Sequence, residues 1–122
     1  MVSLAILVSF LFSGTETNQR IVLSIQDQIP LISFVLFLVN ASVVEEVVYR
    51  ELLWGKLSFP VVQVVLTSFL FSLAHHPSSM ITWFIYGSLG VMLGLVRLKT
   101  DVLMSTLVHL SWNELVFLMT FL

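Results

Sequence analysis

Two adjacent carboxylates and an arginine stand inside a long apolar stretch of this 122-residue chain. Glu45, Glu46 and Arg50 follow a run without charged residues at positions 29–44. A charged side chain at the centre of a bilayer costs about 2.5–3.5 kcal/mol. Ionisable groups inside a membrane segment are therefore candidates for function by default, and they need other polar groups beside them.

Histidine and asparagine supply such groups in two later apolar segments. His75 follows Phe71 by four residues, and Asn113 follows His109 by four. Residues four apart lie on one face of a helix. A lone histidine in a membrane segment is more often a helix–helix hydrogen bonder than a catalyst. Carboxylates, imidazoles and an amide in separate apolar helices, however, need one another as partners, so we expect one shared site.

A glutamate together with a histidine can act on water, which is a hydrolytic combination. Glu46 can pair with Arg50 along its own helix, because the two residues are four apart. Glu45 points about 100° away from Glu46 and lacks that partner. Glu45 is therefore the candidate general base. His109 and Asn113 could donate hydrogen bonds to a developing oxyanion.

Residue types exclude several other chemistries. The chain has no cysteine, which excludes disulfides, thiolate metal ligands and a cysteine nucleophile. No HExxH zinc motif is present. The two aspartates, Asp27 and Asp101, stand at segment ends, so a buried aspartyl dyad is not expected. Ser88 lies in a GSLG sequence that lacks the spacing of a nucleophile elbow.

The composition predicts a membrane protein. Hydrophobic residues make up 58% of the chain and charged residues 10%, and the mean hydropathy is +1.06. A soluble domain would carry roughly a quarter charged residues. The net charge of −2 is too small to indicate nucleic acid or an acidic partner.

The elements that position the polar residues are predicted to be helices. We expect an all-α, polytopic transmembrane bundle forming one domain over residues 1–122, with an N-terminal part that is short or truncated. Pro30, Pro60 and Pro77 mark helix ends. About four full spans are predicted, with a partial one before them; they lie at residues 1–13 (partial), 30–56, 58–76, 80–98 and 102–122.

Gly90 and Gly94 form a GxxxG pattern, which lets two helix backbones approach closely. Tight packing inside the bundle is the favoured interpretation. A homo-oligomer seam through the same two glycines is the alternative, and spacing alone does not decide between them.

Three motifs resemble those of one family, the CAAX prenyl protease and bacteriocin-processing family, also called CPBP or Abi. Residues 45–50, with the sequence EEVVYR, resemble its EExxxR motif. Residues 71–75, FSLAH, resemble its FxxxH motif, and residues 109–113, HLSWN, resemble its HxxxN motif. The resemblance extends over residues 39–117.

This resemblance implies an intramembrane endopeptidase similar to the type II CAAX protease. The substrate would be membrane-associated, either prenylated or of the bacteriocin type. By analogy, Glu45 and His75 would activate water, and His109 and Asn113 would stabilise the oxyanion. The remaining motif residues would support the shape of the site; they are Glu46, Arg50 and Phe71.

No cofactor is expected, although Glu45, His75 and His109 could also form a three-ligand zinc site with an open position. The expected partners are membrane lipid and a peptide or lipidated protein substrate, without nucleic acid. The expected location is the cell membrane, with several passes.

Two other function classes stay open. One is a non-enzymatic protein, serving bacteriocin self-immunity or acting as a scaffold, in which the polar cluster is structural. The other is a proton- or ion-coupled transporter that uses Glu45 and the histidines as a relay. Phe71 and Asn113 favour the protease over the transporter, since a proton relay needs no asparagine.

Overall fold

The computed structural model describes residues 30–122 continuously and five residues before them, Ile21, Ser24, Ile25, Asp27 and Gln28. All regular elements of residues 30–122 are helices, which confirms the predicted all-α class. The predicted partial span at residues 1–13 lies outside the described residues. The four helices are α1, Leu31–Lys56; α2, Pro60–Ala74; α3, Met80–Lys99; and α4, Val102–Met119.

Three of these helices, α1, α3 and α4, are long and apolar enough to cross a membrane. Helix α2 has 15 residues, so it rises only about 22 Å, against a hydrocarbon core of about 30 Å. The prediction of four full spans is therefore corrected to three long helices and a shorter one within the described part. Proline explains the length, because Pro60 begins α2 and Pro77 follows closely after its end.

Helix α1 changes its winding halfway along. It is α-helical over Leu31–Glu46, π-helical over Val47–Leu53, and ends in a 3₁₀ turn at Trp54–Lys56. Hydrogen bonds in a π-helix run from i to i+5, and such wide turns often occur at functional sites. In this chain the wide segment begins directly after the two adjacent carboxylates.

Arg97 on α3 contacts the π-helical segment of α1 through its guanidinium group. Its Nε donates a hydrogen bond of 2.8 Å to the backbone carbonyl of Arg50. Its guanidinium also lies 3.7 Å from the Glu51 carboxylate and 5.4 Å from the centre of the Trp54 ring. A cation from another helix thus satisfies backbone and side-chain groups of the π-helical segment.

Glycines bring α2 and α3 close together. A Cβ atom at Gly90 would lie 3.0 Å from the Ser68 Cα, and one at Gly94 would lie 3.2 Å from Val64 Cγ1. The GxxxG pattern is therefore used for packing inside this bundle. A homo-oligomer seam through the same residues stays an untested prediction.

Two apolar clusters hold the remaining helices. Phe34 and Leu38 of α1 pack against Phe117 of α4, with the Phe34 and Phe117 rings 5.0 Å apart. A second cluster joins Phe71 of α2 to Leu89 and Leu93 of α3. Residues of α1 and α4 pack around the second cluster; they are Tyr49, Val108 and Trp112. All four helices thus contribute to one region of the bundle.

We expect Gly90→Ala to destabilise the bundle, because the added methyl group would meet the Ser68 backbone at 3.0 Å. Overpacking of this kind costs about 1–3 kcal/mol, which should lower the midpoint of thermal unfolding in detergent micelles. Gly55→Ala is the matched control, since nothing lies within 4 Å of its added Cβ. Equal unfolding midpoints for the two variants would contradict the close packing.

Candidate active site

Side chains from three helices converge on one carboxylate oxygen. Glu45 Oε2 lies 3.7 Å from His75 Nε2 and 3.6 Å from His109 Nε2. These separations are too long for direct hydrogen bonds, and a single water molecule could bridge the three atoms. The Oε2 atom is buried without a hydrogen-bond partner among the described residues, although the Glu45 side chain as a whole is 31% exposed.

The opposite directions of α1 and α2 explain why Glu45 meets His75. Phe71 contacts Tyr49, and four residues further along α2, His75 faces Glu45, four residues earlier on α1. Four residues back on one helix and four residues forward on its antiparallel neighbour lead to the same level, so the Glu45 and His75 side chains lie beside each other.

Each histidine uses its Nδ1 atom elsewhere, which directs its Nε2 atom toward Glu45. His75 Nδ1 lies 2.7 Å from the Phe71 carbonyl oxygen, and His109 Nδ1 lies 3.0 Å from Glu46 Oε1. Both of these oxygens can only accept, so each Nδ1 carries the proton and donates it. When the imidazoles are neutral, both Nε2 atoms are acceptors. A water molecule at this point could donate its two protons to two of these three acceptors.

The predicted ion pair of Glu46 and Arg50 is present and fully buried. Arg50 Nη1 lies 3.3 Å from Glu46 Oε1, and both side chains are 0% exposed. Arg50 Nη2 donates a hydrogen bond of 2.8 Å to the carbonyl of Gly90 on α3, and its Cζ lies 4.9 Å from the centre of the Phe71 ring. The guanidinium is thus compensated by a carboxylate, a carbonyl and an aromatic face.

The Phe71 ring separates the Arg50 guanidinium from the imidazole rings of His75 and His109. Its side chain is completely buried, and its ring centre lies 4.4 Å from that of His75 and 5.5 Å from that of His109. An aromatic ring at this position limits the rotation of both imidazoles and covers Arg50. This is a physical reason for the phenylalanine in the FxxxH pattern.

Asn113 lies one helical turn beyond His109 and is held by α1. Its Nδ2 donates a hydrogen bond of 2.9 Å to Ser42 Oγ, and the Ser42 hydroxyl donates one of 2.9 Å to the Leu38 carbonyl. The amide is therefore oriented by a buried serine three residues before Glu45. Sequence reasoning did not select Ser42, because a serine in an apolar helix can equally serve packing alone.

Tyr86 is a second residue that sequence reasoning missed. Its ring stacks on the His75 imidazole, with centres 4.6 Å apart and planes at 27°. None of the predicted site residues lies on α3, and no sequence spacing connects Tyr86 to the motifs. Only the packing of α3 against α2 brings it to the site.

The chain matches one family model, described as type II CAAX prenyl endopeptidase Rce1-like, over residues 27–115. The matched range contains all three motifs, and it confirms the family resemblance found in the sequence. No match was found among curated proteins or among solved structures.

Removing the charge of Glu46 should destabilise the fold strongly. Glu46→Gln leaves the buried Arg50 guanidinium without its counter-ion, which typically costs about 3–5 kcal/mol. Glu51→Gln on the same helix is the control, because the Glu51 side chain is 54% exposed and exposed ion pairs contribute up to about 1 kcal/mol. Denaturant-induced unfolding in detergent measures both, and similar midpoints for the two variants would refute the structural role of Glu46.

Proposed function

The chain belongs to the type II CAAX prenyl endopeptidase Rce1-like family, and from this we propose that it is an intramembrane endopeptidase with a glutamate-activated water. The observation that carries the proposal is the approach of two imidazole Nε2 atoms to within 3.7 Å of the Glu45 Oε2 atom. Such a cluster can hold a water molecule and take a proton from it.

In the proposed reaction, a water molecule lies between Glu45, His75 and His109. Its oxygen attacks the carbonyl carbon of the scissile peptide bond while Glu45 takes one of its protons. His75, fixed through its Nδ1, orients the water through Nε2. The tetrahedral intermediate collapses as the carbon–nitrogen bond breaks, and the proton held by Glu45 passes to the leaving amine. One carboxylate product and one amine product result.

His109 and Asn113 are proposed to stabilise the oxyanion. This role requires a proton on His109 Nε2 that points at the oxyanion, while Nδ1 lies 3.0 Å from Glu46 Oε1. Asn113 uses one N–H for Ser42 and keeps a second for the substrate.

The proposed substrate is a membrane-associated peptide segment, because the outer faces of the bundle are apolar. A prenylated tail of the CAAX type fits the family description, and a bacteriocin-type peptide is the second class. We further propose a multi-pass protein of the cell membrane, in contact with lipid. No metal takes part in the proposed reaction.

Glu45→Gln should reduce peptide cleavage by about 10²–10⁴-fold, the usual contribution of a general base. Folding should be preserved, because Glu45 Oε2 has no hydrogen-bond partner to lose within the described chain. The measurement is cleavage of a fluorogenic, farnesylated CAAX peptide by purified protein in proteoliposomes. Glu51→Gln is the control and should retain wild-type turnover.

Mass spectrometry of membrane peptides from cells with wild-type or Glu45→Gln protein extends this test to unknown substrates. Peptide products that depend on Glu45 would support the protease. A cellular phenotype that survives in Glu45→Gln, with no product in either assay, would instead support the non-enzymatic immunity or scaffold function.

Cleavage should persist after dialysis against a divalent-metal chelator, since the proposed reaction needs only protein groups and water. The measurement is the initial rate before dialysis, after dialysis, and after addition of Zn²⁺. A rate that collapses in chelator and returns with Zn²⁺ would replace this mechanism with a zinc site on Glu45, His75 and His109.

A further inference from the structure

Aromatic rings from two different helices contact the His75 imidazole. Phe71, on the same helix, lies with its ring centre 4.4 Å away and its plane tilted by 42°. Tyr86, on α3, stacks at 4.6 Å and 27°, and it is only 6% exposed. We propose that Tyr86 is a positioning residue for the reaction, which fixes the plane of the His75 ring. This inference rests on the proposed function of His75.

The backbone at His75 gives the imidazole little support. Helix α2 ends at Ala74, and His75 is its cap residue with φ −86° and ψ 5°. His76 follows with φ 49°, a left-handed conformation directly before Pro77. The histidine side chain therefore projects from the last residue of a helix end, without a further helical turn to pack against it.

One hydrogen bond does not fix an imidazole ring. The bond from His75 Nδ1 to the Phe71 carbonyl, 2.7 Å long, constrains one atom, while the terminal torsion of a histidine is broad and roughly two-fold. A rotation of the ring by 180° about the Cβ–Cγ bond would place ring carbons where the two nitrogens were. A carbon atom would then face Glu45 in place of Nε2. Contact with a flat aromatic face restricts tilting and turning of the ring plane.

Through the contact between Tyr86 and His75, helix α3 contributes a side chain to the candidate site. A different link from α3 is the Gly90 carbonyl, which accepts a hydrogen bond from Arg50 at 2.8 Å and supports the ion pair. Tyr86 acts instead on a group proposed to touch the water. A substitution here should therefore alter turnover more than substrate affinity.

Tyr86→Leu should lower kcat by about twofold to tenfold, because the imidazole loses one aromatic contact. Since Tyr86 is not proposed to touch the substrate, KM should change by less than about twofold. Tyr86→Phe keeps the ring and should retain most of the turnover. Phe84→Leu is the matched control, because Phe84 stands on the same helix but is 76% exposed. Its turnover should equal that of wild type.

A second measurement reports on the ring itself and does not require activity. The chain contains three histidines, so ¹⁵N-histidine labelling in detergent micelles yields few signals. In wild type, Tyr86→Phe and Phe84→Leu, His75 should show a single tautomer with the proton on Nδ1. In Tyr86→Leu, the signals should indicate a mixture of tautomers or of ring orientations.

The two measurements separate the inference from the proposed function. If no variant, wild type included, cleaves any peptide but the His75 tautomer still changes in Tyr86→Leu, the protease proposal fails and the positioning role stands. An unchanged His75 spectrum in Tyr86→Leu would overturn the positioning role. A loss of turnover in Tyr86→Phe equal to that in Tyr86→Leu would overturn it as well, since the ring is then not the acting feature.

Discussion

The compensation of buried charge inside an apolar bundle is the constraint on which this structure depends. Glu46 and Arg50 are fully buried, and each charge compensates the other there. Two further hydrogen bonds of the pair reach other helices, through the Gly90 carbonyl on α3 and His109 Nδ1 on α4. One ion pair on α1 therefore fixes the positions of α1, α3 and α4 relative to one another.

The fold class and most helix boundaries could be predicted from the sequence, because they depend on local features. Prolines and capping residues mark the ends, as where the Asp101 side chain accepts a hydrogen bond from the Met104 backbone at the start of α4. The π-helical segment Val47–Leu53 could not be predicted in this way. Its supporting hydrogen bond comes from Arg97, 47 positions away, and no local pattern contains that information.

The residues of the candidate site likewise include some that could be predicted from the sequence and some that could not. Glu45, His75 and His109 were selectable because ionisable residues in apolar segments are rare and must find partners. Ser42 and Tyr86 carry no such signal, because a serine and a tyrosine are common in membrane helices for packing alone. Their contacts, to Asn113 and to the His75 ring, arise only when the helices are assembled. The groups proposed for chemistry could thus be predicted from the sequence, whereas Ser42 and Tyr86, which orient two of them, could not.

Glu45 and Glu46 show how one residue type can take two roles at adjacent positions. The 100° rotation between neighbours on a helix directs Glu46 into the bundle, where Oε1 has both Arg50 and His109 as partners. The same rotation leaves Glu45 at the edge, with Oε2 near two imidazoles but bonded to neither. Both glutamates have a buried Oε2 atom without a hydrogen-bond partner among the described residues, so the difference lies in their neighbours. Glu46 is held through Oε1 by Arg50 and His109, whereas Glu45 Oε2 faces two imidazole Nε2 atoms. The difference in role therefore follows from helix geometry and partners, and it makes Glu45 the residue whose replacement separates catalysis from folding.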